Sequence, residues 1–275
     1  MRSATAISAP CSKFEPSEER IPSEERVKKI GIVGGVAWLS TVDYYAGICH
    51  LSEQWHLARN PRATSSTPEM SIESLDVSKA VSLFGTDGDE ESWSRYDEYH
   101  RAALQRLVVS GADFALMASN TPHHRFASIV RGIRIPVISI LDVIAKESAR
   151  IGVTEVLILG TAVTMRSASF REGFAKYGIA AAGPRDDSAR DLIVELIAEL
   201  QLGKIEGAAE RIGKVARDCF EVQFETQPAV CLACTELPLA FPEQKTQPSF
   251  SHDGITYLNT VAAHINAAFD LAANE

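Results

Sequence analysis

Two apolar stretches that each end in small polar residues and a proline place the strongest constraint on the fold of this chain. The first stretch runs from Pro228 to Ala233 and is followed by Cys234, Thr235 and Glu236. An apolar run of this length predicts a short buried strand, and Pro238 suits the first turn of a helix. Open α/β sheets place their ligand sites at the carboxyl ends of strands. Cys234 is therefore predicted to lie at the mouth of a site.

The second stretch has the same form and lies in the first half of the sequence. Asp113 to Ala118 predicts a buried strand, and Ser119, Asn120 and Thr121 follow it before a proline. Two strand ends of matching chemistry predict that two halves of the chain face one cleft.

Apolar runs typical of strands alternate with helical patterns along the rest of the chain. Further strands are predicted at 29–35, 70–75, 135–140, 156–159 and near Phe250. Helices are predicted at 96–109, 141–148, 164–177, 187–200, 206–224 and 255–271. This alternation predicts an α/β fold with parallel sheets and right-handed crossovers.

Length and charge narrow the class of protein. A chain of 275 residues favours two compact α/β domains over one. The net charge of -9 argues against a nucleic-acid or membrane surface. The sequence has neither the ~18 consecutive apolar residues of a membrane span nor the apolar core of a secretory signal, so a cytoplasmic location is expected. Residues 1–27 contain few large apolar side chains and are predicted to be a disordered tail, with a short transit peptide as the alternative.

The cysteine pattern leaves two interpretations of one motif. Five cysteines, an odd number, favour free thiols in a chain of this kind. Cys231 and Cys234 form a C-x-x-C motif that suits a redox or zinc element, but the sequence supplies neither a second such pair nor a nearby histidine pair. Cys231 is better interpreted as a small core residue. No metal site is predicted.

Other residues have both a structural and a binding interpretation. Thr161 and Thr164 flank a turn before a helix, where Thr164 serves as a helix cap or both hydroxyls hold a carboxylate. Glycines 34 and 35 end the first strand, and their amides suit an anionic group. Arg59 and Arg62 lie in a polar loop, where they are surface residues or reach a carboxylate in the cleft.

With these motifs in order, the chain resembles the aspartate/glutamate racemase superfamily of cofactor-independent amino-acid racemases. The resemblance covers about Lys29 to Phe269. It rests on four motifs: Ile32-Val33-Gly34-Gly35 with Thr41-Val42-Asp43-Tyr44-Tyr45, Ser119-Asn120-Thr121-Pro122-His123, Gly160-Thr161 with Thr164, and Cys234-Thr235-Glu236-Leu237-Pro238.

The resemblance implies a domain layout and a reaction. It implies one domain at 28–137 plus 248–275 and a second at 138–247, with the active site between them and a homodimeric assembly. In the family, one cysteine from each half removes and returns the α-proton on opposite faces of the substrate, without pyridoxal phosphate. Acidic amino acids are the expected substrates. The implied substrate-binding residues are Asn120, Thr121, Thr161, Thr164, Thr235 and Glu236, with Arg59 or Arg62 for a distal carboxylate.

The chain departs from the family pattern at the first catalytic position, which is Ser119. A hydroxyl is a weaker base than a thiol, so Ser119 needs an activator such as His123 or His124. Cys234 is then the main acid/base, and Ser119 or a water beside it acts on the opposite face. Two alternatives remain. One is a single-cysteine decarboxylase of malonate-type acids, and the other is a protein of low activity that binds an acidic amino acid.

Overall fold

The computed structural model describes residues 27–62, 66–86, 88–224 and 227–273. The predicted tail therefore lies outside the described residues, except for Val27. Two sheets with their covering helices make up the described chain. None of the described helices is long and apolar enough to cross a membrane.

The first half of the molecule is built on a four-stranded parallel sheet. Its strands are β1 (Ile30–Gly34), β2 (Met70–Ser74), β3 (Phe114–Met117) and β4 (Val137–Ile138). They lie in the order β2-β1-β3-β4. All residues of the two central strands, β1 and β3, are buried. Continuous apolar runs of this kind are typical of parallel strands that are covered on both faces.

The helices of the first half are α1 (Trp38–Arg59), α2 (Val77–Ser82), α3 (Ser94–Val109) and α4 (Phe126–Ile129). Side chains alternate along β1 between the two faces of the sheet. Ile32 lies in one core cluster with Tyr44 of α1. Val33 lies in another cluster with Leu104 of α3. Helices therefore cover both faces, and the loops that follow the strands gather at one edge.

The second half is built on a five-stranded sheet. Its strands are β5 (Glu155–Gly160), β6 (Ala180–Ala182), β7 (Ala229–Ala233), β8 (Ser249–His252) and β9 (Ile255–Asn259). They lie in the order β6-β5-β7-β9-β8. Its helices are α5 (Ile140–Arg150), α6 (Ala162–Arg166), α7 (Ala168–Ala175), α8 (Asp187–Gln201) and α9 (Ala208–Gln223). Four of the strands run parallel, while β8 runs antiparallel to β9. The predicted α/β fold with parallel sheets is confirmed, with the exception of β8. Only Asp253 and Gly254 separate it from β9, and a hairpin of that length reverses the chain.

The last helix, α10 (Thr260–Ala273), is shorter than the sequence predicts. The predicted helix at 255–271 is wrong over its first turn, where β9 pairs with β7. Asn259 sets the boundary, because its side-chain oxygen accepts from the backbone N–H groups of Val261 and Ala262 at 3.1 and 3.2 Å. An asparagine in this role satisfies N–H groups that have no partner within the helix.

The final segment also differs from the predicted domain layout. Residues 248–275 were expected to join the first domain, but β8 and β9 extend the second sheet. The described part of α10 does return to the first half, where Val261, Ile265 and Phe269 share a core cluster with β1 and α1.

The predicted helix at 164–177 is also interrupted. The structure divides this segment into α6 and α7, with Ser167 between them. The Ser167 hydroxyl accepts from the Phe170 N–H at 3.4 Å and begins a new helix there.

Candidate active site

A pocket of about 260 Å³ lies where the carboxyl ends of β3, β5 and β7 come together. Seven of the residues that the sequence predicts for the site line it: Ser119, Asn120, Thr121, Thr161, Cys234, Thr235 and Glu236. Thr164 is fully buried and bonds to Thr161 from behind, with 2.9 Å between the two hydroxyl oxygens. The two predicted strand ends therefore face one pocket.

Cys234 follows β7 directly, and its thiol is held by a neighbouring carboxylate. The Sγ–H group donates to Oε2 of Glu236 at 2.9 Å. Burial raises the pKa of the Cys234 thiol well above its ordinary value, and the negative charge of Glu236 raises it further. The resting side chain is therefore a neutral thiol that has a proton acceptor within hydrogen-bonding distance.

Three donors hold the Glu236 carboxylate in place. Besides the thiol, the Thr235 hydroxyl donates to Oε2 at 3.0 Å, and Nε2 of Gln201 donates to Oε1 at 3.2 Å. Glu236 itself is only 5% exposed. A buried carboxylate needs partners of this kind to remain charged. The carboxylate is thus fixed beside the thiol.

Cys231, the other half of the C-x-x-C motif, lies away from this pocket. Side chains alternate along β7, so Cys231 belongs to the cluster that includes Ile144 of α5, while Cys234 belongs to the cluster on the other face. Both thiols are free. The two cysteines do not form a redox or zinc pair, and Cys231 is a core residue as predicted.

Ser119 follows β3 and faces the same pocket, but neither nearby histidine is bonded to its hydroxyl. Nδ1 of His123 donates to the backbone oxygen of Ser119 at 2.9 Å. Nδ1 of His124 instead bonds to the Ser167 hydroxyl, also at 2.9 Å. Burial lowers the pKa of His123 to about 4, so its ring is neutral. His123 therefore fixes the backbone at Ser119. No contact among the described residues supports the expectation that His123 or His124 activates the Ser119 hydroxyl.

Asn120 offers the pocket an unused acceptor. Thr260 donates its hydroxyl proton to the Leu232 oxygen at 2.9 Å, so it can only accept from Nδ2 of Asn120, at 3.1 Å. This contact fixes the orientation of the amide. Oδ1 of Asn120 is buried and has no hydrogen-bond partner among the described residues. A buried acceptor of this kind is costly unless a ligand supplies a donor.

A chain of hydroxyl groups joins the two halves at the pocket. Thr121 lies 3.4 Å from Thr161, measured between their hydroxyl oxygens. Thr161 also caps α6, since its hydroxyl accepts from the backbone N–H of Thr164 at 3.3 Å. Thr161, rather than Thr164, is therefore the helix cap, and Thr161 also lines the pocket.

The glycine turn after β1 has a structural use. The amide of Gly35 donates to the Thr41 hydroxyl at 2.9 Å. This N–H group, which the sequence predicts as a donor for an anion, is therefore already hydrogen-bonded. A Cβ atom at Gly35 would lie 2.2 Å from the Leu75 oxygen, and φ there is +87°. Only glycine allows the chain to pass so close to the backbone of Leu75, just after β2.

The structure does not bring Arg59 or Arg62 to the pocket. Because α1 joins two parallel strands, it runs from the carboxyl edge of the sheet back to the amino edge, a distance of about 33 Å for 22 residues. Arg59 lies at the far end, where its guanidinium stacks over the Trp55 ring at 3.7 Å. Arg62 follows it in an exposed turn. The expected role of these arginines is therefore wrong for this structure.

Sequence reasoning missed the apolar side of the pocket. Val77, Val81 and Phe84, in and just after α2, line it together with Ile197 and Gln201 of α8. The spacing of 77 and 81 places both side chains on one face of α2. The sequence shows this spacing, but it does not show that this helix face points toward the site.

A larger cavity of about 660 Å³ lies beside His124 and Arg125. Its most buried charged group is already paired, because Arg125 binds Asp97 at 2.9 Å and Glu90 at 2.5 Å. Its lining includes neither Cys234 nor Ser119. The smaller pocket is therefore the candidate active site.

Comparison with known proteins agrees with this fold. A family model described as Asp/Glu/Hydantoin racemase matches residues 33–268. An aspartate racemase homologue from Pyrococcus horikoshii has a TM-score of 0.69 at 26% identity, over 90% of this chain and 100% of that one. A candidate Asp/Glu racemase from Yersinia pestis has a TM-score of 0.72 at 24% identity, over 90% and 100% of the two chains. For an aspartate racemase from Picrophilus torridus, the TM-score is 0.65 at 20% identity, over 90% and 95%.

Proposed function

The chain belongs to the Asp/Glu/hydantoin racemase family of isomerases, and on that premise we propose that it inverts the α-carbon of an amino acid with Cys234 and Ser119 on opposite faces. One observation carries the proposal. The thiol and the hydroxyl follow β7 and β3, which belong to different sheets, and both face one pocket. A two-face proton transfer needs such an arrangement, because the α-proton leaves one side of the carbon and returns on the other.

The neutral groups of the pocket suit the polar end of an amino acid. The hydroxyls of Thr121 and Thr161 are donors for the α-carboxylate and for the charge that develops on it when the α-proton leaves. The Thr235 hydroxyl donates to Glu236 instead and holds that carboxylate in place. Oδ1 of Asn120 and the carboxylate of Glu236 are acceptors for the α-ammonium group. Thr164 supports the Thr161 hydroxyl from behind.

Cys234 requires a base because its resting form is the thiol. We assign this role to Glu236, which accepts the thiol proton along the existing hydrogen bond and leaves a thiolate. The thiolate then removes the α-proton and becomes a thiol again. The carbanion takes a proton on the far face from the Ser119 hydroxyl or from a water that it holds. Exchange with solvent returns Glu236 and Ser119 to their resting states.

The first experiment incubates the protein with an amino acid in deuterium oxide, without added cofactor. NMR follows exchange of the α-proton of the amino acid, and chiral chromatography follows its enantiomer composition. We expect deuterium incorporation with inversion in the wild type. Cys234→Ala should lower the exchange rate by about 10²–10⁴-fold, the usual contribution of a positioned acid–base group. Cys231→Ala is the matched control, since it removes a buried thiol from the same strand on the other face, and its exchange rate should match the wild type.

Loss of exchange in Cys231→Ala alone would contradict the assignment of Cys234. Amino-acid binding without any exchange in the wild type would instead favour the binding-protein alternative.

A second candidate function is decarboxylation of a malonate-type acid. The raised pKa of Cys234 favours it, since a neutral thiol can donate a proton to the carbanion that remains after carbon dioxide leaves. The apolar side chains of the pocket suit a departing carboxylate. Release of carbon dioxide from a 2-substituted malonate, without α-proton exchange of any amino acid, would establish this function in place of the racemase.

A further inference from the structure

The pocket has an apolar side that is exposed to solvent. Val77, Val81 and Phe84 line it, and they are 45%, 52% and 41% exposed. Single exposed apolar residues are common on protein surfaces, but here three converge on the concave side of one pocket. Contact with an apolar group of a ligand would remove this surface from water.

Neighbouring aromatic rings hold the apolar side in place. The Phe84 ring lies 5.7 Å from Trp93 and 5.4 Å from Tyr96, measured between ring centroids. Both of these partners are buried. Ile197, which also lines the pocket, is only 6% exposed and belongs to the core of the second half. The apolar surface is therefore an extension of two packed cores.

The pocket has a single charged side chain among its described lining residues, and it is negative. Among the described residues that line it, none is Lys, Arg or His, and Glu236 is the charged member. An amino acid brings one α-ammonium group to pair with Glu236 and one α-carboxylate for the neutral donors. A second carboxylate in the side chain would face Glu236 and the apolar surface without a cation, which is unfavourable in a poorly solvated site.

We infer that, if the chain acts as the proposed racemase, its substrate is a neutral amino acid with an apolar side chain of the size of leucine, methionine or phenylalanine. This inference rests on the proposed function for its reaction and on the pocket lining for its substrate class. This substrate class differs from aspartate or glutamate, the substrates that the resemblance implies. The volume of about 260 Å³ suits a ligand of this size, since pockets for drug-sized molecules run from roughly 300 to 1,000 Å³.

The test compares leucine with aspartate and asparagine, which have nearly the same shape. We expect the kcat/KM for α-deuterium exchange with leucine to exceed the value for aspartate by at least about 100-fold, in keeping with the discrimination that one or two misplaced groups produce. The kcat/KM for asparagine should lie between the values for leucine and aspartate, because its side chain is polar but uncharged. Equal or faster exchange with aspartate would overturn the inference.

A variant pair tests the position of the apolar side. Val81→Lys places a cation where the side chain of the substrate would lie. It should raise kcat/KM for aspartate by about tenfold and lower the value for leucine by a similar factor. Val109→Lys, in the exposed last turn of α3 at the opposite edge of the sheet, is the control and should change neither value. Equal effects of the two substitutions would overturn the inference.

Calorimetric binding of leucine and aspartate to Cys234→Ala separates this inference from the proposed function. Preferential binding of leucine supports the substrate class even if the wild type shows no exchange, an outcome that would reject only the racemase. Preferential binding of aspartate rejects the substrate class and leaves the racemase standing.

Discussion

At the scale of single residues, the site depends on a carboxylate placed next to a thiol. Glu236 accepts from Cys234 at 2.9 Å, and both side chains are buried. A negative charge at this distance opposes ionisation of the thiol, as does burial. The same carboxylate that keeps Cys234 protonated at rest is therefore also the group that can take its proton.

Glu236→Gln should lower the pKa of the Cys234 thiol, because it removes the negative charge, keeps the shape and replaces one of the two carboxylate oxygens with an N–H donor that can stabilise the thiolate. The pH dependence of Cys234 alkylation by iodoacetamide, followed by mass spectrometry, measures this pKa. The midpoint should move to lower pH than in the wild type while burial still holds it above the ordinary thiol value. Glu199→Gln, which removes a carboxylate paired with Arg211 instead, is the control and should leave the midpoint unchanged. A midpoint at higher pH in Glu236→Gln would contradict this account.

Ser119→Cys should speed inversion more than exchange. A hydroxyl at 119 is a weak acid and base, so in the wild type Cys234 can remove and return a proton on its own face faster than the far face delivers one. A thiol at 119 supplies a better partner, and we expect the ratio of inversion to exchange to rise by about 10²-fold.

Chiral chromatography and NMR on one sample measure both rates for Ser119→Cys. In Ser119→Ala inversion should fall while exchange persists. An unchanged ratio in both variants would exclude position 119 from proton transfer.

At the scale of elements, the sequence predicts most strands and the polar residues that follow them. Apolar runs with a proline just beyond them correctly indicate β3 and β7, because a buried parallel strand needs a continuous apolar segment. The boundary between β9 and α10 was not predicted, because Ile255 to Leu271 is compatible with a helix until pairing with β7 and the Asn259 cap decide otherwise. The contribution of α2 to the pocket could not be predicted either, because an exposed apolar helix face indicates a binding site only when the fold places a pocket beside it. Predicting the position of Arg59 requires knowing that α1 joins two parallel strands and so carries Arg59 away from the carboxyl edge of the sheet.

At the scale of the whole molecule, α10 connects the two halves. It begins directly after β9 of the second sheet, yet Val261, Ile265 and Phe269 pack in the core of the first half. Ala263 of the same helix packs in a core cluster of the second half. His264 bonds to the Tyr44 hydroxyl at 2.8 Å and to the Ile138 oxygen at 3.2 Å. Neither core is complete without this helix.

We therefore expect the two halves to unfold in one transition. All three tryptophans, Trp38, Trp55 and Trp93, lie in the first half, so their fluorescence reports on that half. Labelling of the buried thiols of Cys219 and Cys231 reports on the second half. The urea midpoints from both probes should coincide. Phe269→Ala should move both midpoints together to lower urea concentration, because it should lower the free energy of unfolding by about 3–5 kcal/mol, the usual cost of removing a buried phenylalanine. Separate midpoints, or a change confined to the fluorescence transition, would mean that α10 stabilises the first half alone and that the pocket lies between two independently folding units.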